Sequence, residues 1–275
     1  MLNIEKVLKN YNNIIFIVKD ELGNIVYTND DSFLELYNNA NLEELTSIFH
    51  DRENNIWYEI DVIDLEEQEK KYKVEVFKDI TKLKQRIMEL ETDETTRLII
   101  KKVTFEEVNK YLKYAISNNE ESAMIIGDVD FFKKINDTYG HLFGDEVLRK
   151  ISETLFQGVR HSIGRPIDIV GRIGGEEILI LIKNISSENA LKCAERCRER
   201  ISNVTFVHEG SKPFSVTMSF GLYHVGVKEF QNVEEVDEFR SLILRRCDKA
   251  LYNSKNNGRN KVSQYIKSKT NKIIE

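Results

Sequence analysis

Arg172-Ile173-Gly174-Gly175-Glu176-Glu177-Ile178-Leu179-Ile180-Leu181-Ile182 reads as the end of one strand, a tight turn and a second strand. From Ile178 the run is apolar without alternation, as expected of a strand covered on both faces. The paired glycines predict a hairpin, spanning Asp168 to Ile182, whose turn needs positive φ. Two carboxylates, Glu176 and Glu177, then stand at the mouth of a strand that is otherwise apolar.

Upstream, Ser122 to Val129 predicts another buried strand, and Met124-Ile125-Ile126-Gly127-Asp128-Val129-Asp130 ends it with acid groups. Ligands gather at such strand ends in helix-covered sheets. An uncompensated carboxylate in a dry site is costly, and a hard cation with oxygen ligands is the usual remedy. If the two strands are neighbours, Asp128 faces the turn glutamates, the arrangement of a two-metal phosphoryl-transfer centre. Phe131-Phe132-Lys133-Lys134-Ile135-Asn136-Asp137 reads as a loop whose amides and lysine face phosphate oxygens. Alone, Lys133 would be a solvated surface lysine.

The surroundings alternate helix and strand. Helices are expected over Thr104–Ser117, Gly144–Gln157, Ser187–Ile201 and Phe239–Ser254, with strands over Phe214–Val225 and after Arg259. That pattern implies a central sheet covered by helices. Of 13 glycines only Gly23 precedes Gly127, so close backbone approaches belong to this second part.

The first part reads as a small α+β unit. A strand at Ile14–Val18, a turn at Glu21–Asn24 and a strand at Ile25–Tyr27 form a hairpin. Helices at Asp31–Tyr37 and Leu42–Phe49 follow, then strands near Ile56–Ile63 and Lys73–Phe77. His50 is expected at the surface and Trp57 in the core. From Ile80, apolar Ile80, Leu83, Ile87 and Leu90 at a and d spacing predict an amphipathic helix that fits a parallel coiled coil.

Bulk properties exclude some classes. With 275 residues, 41% hydrophobic and 31% charged, the chain has the composition of a soluble globular protein. A net charge of -6 argues against a nucleic-acid-coating surface. The run Ile14–Val18 is too short for a membrane span and lacks signal-peptide flanks. Cys193, Cys197 and Cys247 read as free thiols, so a reducing, cytoplasmic location is expected.

Asp128-Val129-Asp130, Phe132-Lys133, Asn136-Asp137, Gly140-His141, Gly144-Asp145 and Arg172-Ile173-Gly174-Gly175-Glu176-Glu177 together strongly resemble the GGDEF domain, the diguanylate cyclase module. The likeness continues through Val216–Gly221, Cys247–Tyr252 and Lys255–Asn260, covering roughly residues 93 to 265. It implies a nucleotidyl-cyclase-like (palm-type) α+β / α/β fold, a central sheet flanked by helices. It also implies condensation of two GTP into cyclic di-GMP and pyrophosphate by attack of a 3′-hydroxyl on the α-phosphate, in a homodimer.

Residue by residue, the resemblance implies that Asp128, the Val129 carbonyl and Glu176 hold two Mg2+ or Mn2+ ions per active site. Glu176 and Asp128 would be catalytic, with Glu176 helping to deprotonate the attacking hydroxyl. Asn136 and Asp145 would read guanine, with His141 nearby; Phe132, Lys133, Lys255 and Arg259 would cradle the triphosphate, and Gly174 and Gly175 would border the substrate. A carboxylate at Asp145 can accept two hydrogen bonds from guanine, whereas adenine offers no matching donors. Arg165-Pro166-Ile167-Asp168 resembles the family's RxxD site, implying cyclic di-GMP as inhibitor through Arg165 and Asp168.

The sequence departs from the family at Ile178, usually Phe, and at Ile100 and Lys101, where Asn and Arg are usual. Altered packing is expected of the first, and altered coupling to the linker of the second. The first part resembles a compact PAS domain, through Phe16–Asp20 before the Gly23 turn, Asn29, and Asp79-Ile80-Thr81. The expected domains are therefore 1–79, a PAS-like sensor and dimerisation unit; 80–95, a helical linker; and 96–275, the cyclase. The rival reading is a non-catalytic receptor for GTP or cyclic di-GMP.

Overall fold

The computed structural model describes residues 14–39, 47–51, 53–67, 69–159, 168–266 and 273–274. They form two compact units, residues 1–90 and 91–275.

In the first unit, β1 (Ile14–Lys19), β2 (Ile25–Thr28), β3 (Ile48–Asp51), β4 (Ile56–Glu67) and β5 (Lys70–Asp79) make one sheet in the order β2-β1-β5-β4-β3. Helix α1 (Asp31–Asn39) lies between β2 and β3 in the chain. Its Phe33 and Tyr37 pack with Ile17, Tyr58, Ile60 and Phe77 on one face; Phe16, Val18 and Val74 are buried on the other. Gly23 turns the first hairpin at φ 83°. Asn29 ties the next loop to β1, accepting from Phe16 N–H and donating to the Ile14 carbonyl, both at 2.7 Å.

Of the helix expected over Leu42–Phe49, residues 42–46 lie outside the described residues, and Ile48 and Phe49 belong to a strand. Non-local pairing wins there: Ile48 and Phe49 match Glu59 and Tyr58 across a hairpin. The Asp51 carboxylate stabilises its turn by accepting from Glu53 and Asn54 N–H. His50 is consequently on β3, stacked 3.9 Å from the ring of Trp57, which is half-buried rather than core.

Helix α2 (Thr81–Glu91) buries none of its residues and leaves Leu83, Ile87, Met88 and Leu90 exposed.

The second unit is a seven-stranded mixed sheet in the order β14-β13-β12-β7-β9-β8-β6. Its members are β6 (Ile99–Ile100), β7 (Ser122–Val129), β8 (Ile169–Arg172), β9 (Glu177–Lys183), β12 (Met218–Val225), β13 (Val262–Tyr265) and β14 (Ile273–Ile274). Alternation sorts β7 and β9 between two cores. Ala123, Ile125, Ile178, Ile180 and Ile182 face α4 (Phe132–Tyr139), α5 (His141–Val159) and α6 (Ser187–Ser202). Met124, Ile126, Leu179 and Leu181 face α3 (Lys101–Asn118) and α7 (Val236–Asn256).

The expected strand Phe214–Val225 is divided. Phe214–Ser215 forms β11, which pairs with β10 (Thr205–Phe206) in a separate two-stranded sheet, and only Met218–Val225 joins the main sheet. Phe131–Asp137, expected as a loop, is mostly helix α4. It is only 8 residues long and closes at Gly140, φ 85°, too short for periodicity to reveal.

Gly221 sits in the interior of β12, where a Cβ would stand 2.1 Å from the Cys247 carbonyl oxygen and 2.3 Å from Leu251 N. The absence of a side chain lets α7 lie directly on the sheet. Cys193, Cys197 and Cys247 are buried and form no disulfide among the described residues. Among the described residues, no helix is long and apolar enough to cross a membrane.

Candidate active site

β7 and β9 are antiparallel neighbours, and their register sets Asp128 opposite Glu177. Paired residues share a face, so both carboxylates stand on the α7 side of the sheet at the end of β7. Asp128 is buried, and its Oδ2 accepts from Lys255 Nζ of α7 at 2.7 Å. Burial, only partly offset by Lys255, pushes the Asp128 carboxyl above the usual carboxylate range. Glu177 is raised too, by burial first and then by the charges of Asp128 and Asp248. One lysine is therefore too little positive charge for this group of acids.

Glu176, the glutamate favoured from sequence, lies one residue earlier, in the turn leading into β9, and contributes a weaker repulsion to Glu177. The sequence points to both glutamates but assigns a role only to Glu176, and it assigns none to Asp248. Register across a sheet decides which of two adjacent glutamates faces Asp128, and one-dimensional spacing does not contain it. Asp248 had a usable signal, since it precedes Lys255 by seven residues, two turns of one helix.

Neither glycine of the turn has positive φ, contrary to expectation. Gly174 is crowded by a neighbour: a Cβ there would stand 2.4 Å from Glu177 Oε2, the far end of a flexible side chain, and 3.2 Å from Glu177 Cβ. Arg172 holds the turn. Its Nε donates to the Gly175 carbonyl at 3.0 Å and its Nη2 to the same oxygen at 2.6 Å. Its Nη1 meets Asp93 Oδ1 at 2.8 Å. Asp93 also accepts from Thr96 N–H and hydroxyl. Burial works against its charge, yet Arg172 and Thr96 hold its carboxyl below the usual range. The diverged residues Ile100 and Lys101 take no part in this anchor, which uses the retained Asp93 and Thr96.

Asp130 is buried and fully occupied. It accepts from the Thr217 and Ser219 hydroxyls at 2.7 Å each and from Asn260 N–H at 3.0 Å. It is thus a brace between β7, β12 and the turn after α7.

Helix α4 begins directly after this strand. Phe131 is its N-cap and offers no side-chain acceptor, so the first-turn amides are free of capping. Phe132 was expected to cradle phosphate, but its side chain is buried in the core; only its backbone can serve. Lys133 is exposed at this helix start.

Asn136 Oδ1 is buried without a partner, an orphaned acceptor that costs stability unless a ligand donor reaches it. It occupies the space beside Gly144, where a Cβ would fall 1.8 Å away. Exposed His141 and half-buried Asp145 lie in the first turn and a half of α5. Asp168 accepts from Lys183 N–H at 3.0 Å and borders a cleft of about 250 Å³ with Asn189, Lys192 and Arg196. Arg165 lies outside the described residues. Ile178 is buried in the core, as its apolar character demands.

Among the described residues, no three acidic, histidine or cysteine side chains converge as a ready-made cation cage. The donor set at the strand ends nonetheless suits a hard cation. It consists of carboxylate oxygens in mutual repulsion, and the backbone carbonyl of Val129 follows Asp128 in the chain.

Residues 90–261 match the profile of the diguanylate cyclase GGDEF domain. The chain belongs to the GGDEF family. Diguanylate cyclase A of Treponema denticola is 35% identical over 178 residues, 62% of this chain and 43% of that protein. The response regulator PleD of Caulobacter vibrioides is 34% identical over 172 residues, 62% of this chain and 35% of that protein. The chain therefore spans less than half the length of these curated relatives. The active GGEEF domain of a diguanylate cyclase from Vibrio cholerae superposes with a TM-score of 0.53 at 30% identity, covering 62% of this chain and 99% of that one. The GGDEF domain of DgcB from Caulobacter crescentus, solved with c-di-GMP, gives 0.55 at 25% identity, covering 64% and 93%. These likenesses concern the second unit; the GGDEF domain accounts for the mixed sheet and its flanking helices.

Proposed function

We propose that this chain is a diguanylate cyclase that joins two GTP molecules into cyclic di-GMP. The carrying observation is the pair of acidic strand ends, Asp128 opposite Glu177 with Glu176 beside it, facing Lys255. Asp128, the Val129 carbonyl and Glu176 would hold Mg2+ or Mn2+, two per site, which supplies charge neutralisation at the α-phosphate. Glu176 would take the proton of the attacking 3′-hydroxyl. The free amides at the start of α4, with Lys133, Lys255 and Arg259, would hold the triphosphate. Orphaned Asn136 Oδ1 would accept from guanine, and Asp145 would accept from its remaining donors, with His141 alongside.

Incubation with GTP and magnesium should yield cyclic di-GMP. Glu176→Gln should abolish product while leaving nucleotide binding largely intact. A chain that binds GTP with no turnover would support the receptor reading instead. Cyclic di-GMP would also return as inhibitor at Asp168 and Arg165, a proposal supported by the cationic Lys192 and Arg196 in the same cleft.

A symmetric product needs two sites facing each other, so a homodimer is part of the proposal. The first unit would be a PAS-like sensor, supported by its strand order with a helix between β2 and β3. Its boundary at residue 79, the linker over 80–95 and the cyclase from 96 belong to the same proposal. The exposed Leu83, Ile87 and Leu90 of α2 would form the coil. Ile87→Lys with Leu90→Lys should give a monomer by light scattering and cut product formation at least about tenfold. Full activity in such a monomer would end the coil proposal.

A further inference from the structure

At the mouth of the site, two residues other than glycine adopt left-handed backbone and touch each other. Phe131 has φ 58° and Arg259 has φ 60°, and the Arg259 guanidinium carbon lies 4.4 Å from the centre of the Phe131 ring. That backbone region is unfavourable for a bulky side chain, and Gly or Asn would fit it with less strain. Burial does not explain the phenylalanine either, because it is 61% exposed while Phe132 beside it is in the core. Both flanks are pinned: just before Phe131, Asp130 N–H donates to the Thr217 carbonyl at 2.9 Å. Asn260 N–H donates to Asp130, and Arg259 N–H donates to the Ser254 carbonyl at 3.0 Å. The strain is held by the surrounding structure, as at sites where conformation serves function.

The charge pattern shows what the ring accomplishes. Asp128 is paired with Lys255 at 2.7 Å, and Arg259 acts on it only from farther away. Among the described residues, the Arg259 guanidinium makes no ion pair and no hydrogen bond; the Phe131 ring is its contact. Left to charge alone, an arginine within electrostatic reach of Asp128 would fold onto that carboxylate. It would then be unavailable to phosphate and would crowd the place of a cation. An aromatic face attracts the guanidinium without neutralising it.

We infer that Phe131 is a positioning residue, holding Arg259 clear of the acidic strand ends and presenting it to the triphosphate of GTP. The inference rests on the GTP reading above. It assigns to the side chain of Phe131 a role in substrate affinity that its backbone alone cannot supply.

The test uses the full chain, initial-rate kinetics with GTP, and equilibrium binding of guanosine and of a non-reacting α,β-methylene GTP analogue. Phe131→Leu keeps an apolar side chain but removes the π face. Phe131→Asn removes the ring while relieving the left-handed backbone. Both should raise KM for GTP about three- to fivefold, with kcat within about twofold, the size expected for losing an exposed cation–π contact. Analogue binding should weaken in parallel and guanosine binding should not change. Phe131→Asn should not lower Tm, whereas a merely structural phenylalanine would. Phe131→Trp should restore affinity, and in an Arg259→Ala background Phe131→Leu should add no further loss. Leu and Asn variants with unchanged KM, or guanosine binding weakened as much as analogue binding, would overturn the inference alone. A wild-type chain that binds neither probe would overturn it together with the functional reading.

Discussion

Asp128→Asn is expected to lower cyclic di-GMP synthesis by about 10^3-fold or more, while Tm stays unchanged or rises. The two readouts move apart for one reason. Asp128 is buried opposite Glu177, and the raised pKa of both shows that folding penalises their charged forms. An amide of the same shape removes one of the two repelling charges. Lys255 loses its partner, but with its side chain 31% exposed it can turn to water instead of remaining buried and unpaired. Relief of the buried charge and of its repulsion on Glu177 is expected to offset loss of the ion pair with Lys255, so stability should be kept. Activity is not, because an amide is a far poorer ligand for a hard cation. Product formation and thermal unfolding of the same preparation test both halves. An active variant would remove Asp128 from the mechanism; an inactive variant with a sharply lower Tm would mean that Lys255 outweighs the repulsion.

Gly221→Ala is expected to destabilise the second unit by about 3 kcal/mol or more, lowering Tm by about 6–12 °C. The new methyl would meet backbone atoms of α7 at the 2.1 and 2.3 Å already noted, and Leu251 Cα at 2.8 Å. Backbone in the middle of a helix cannot turn aside as a side chain does, so all of α7 must lift from β12. That helix carries Asp248 and Lys255, so activity should fall with stability. Gly127→Ala is the comparison, because its new methyl meets side-chain atoms, Met218 Cε at 2.6 Å and Phe220 Cε1 at 2.7 Å. Methionine can adjust, and its loss should be smaller. A Gly221→Ala protein unfolding within a degree or two of the wild type would contradict the tight seating of α7.

Strands and long helices of the second unit were legible because their signals are local. Ser122–Val129 is recovered residue for residue, and the expected helix Ser187–Ile201 ends one residue early. What escaped depends on partners distant in the chain. The division after Ser215 follows from Phe206 pairing with Phe214, and the Ile48–Asp51 strand from pairing with β4. At the site, residue types and order identified Asp128 and the glutamate pair. They did not show that Glu177 is opposite Asp128, that Phe132 spends its ring on the core, or that Phe131 meets Arg259. The turn glycines do not have the backbone handedness expected of them; Gly174 is crowded by the Glu177 side chain, and Gly175 has open space around it.

The Asp93–Arg172 contact has a practical corollary for anyone excising the GGDEF unit from its neighbour. Thr92 bridges Ile99, and Asp93 N–H donates to the Leu98 carbonyl, so this short loop is stitched onto the body it precedes. A fragment starting at residue 96 would discard the acid that steadies Arg172, and its signature hairpin would be left slack even with every downstream side chain intact. Cutting ahead of Thr92 keeps that fastening.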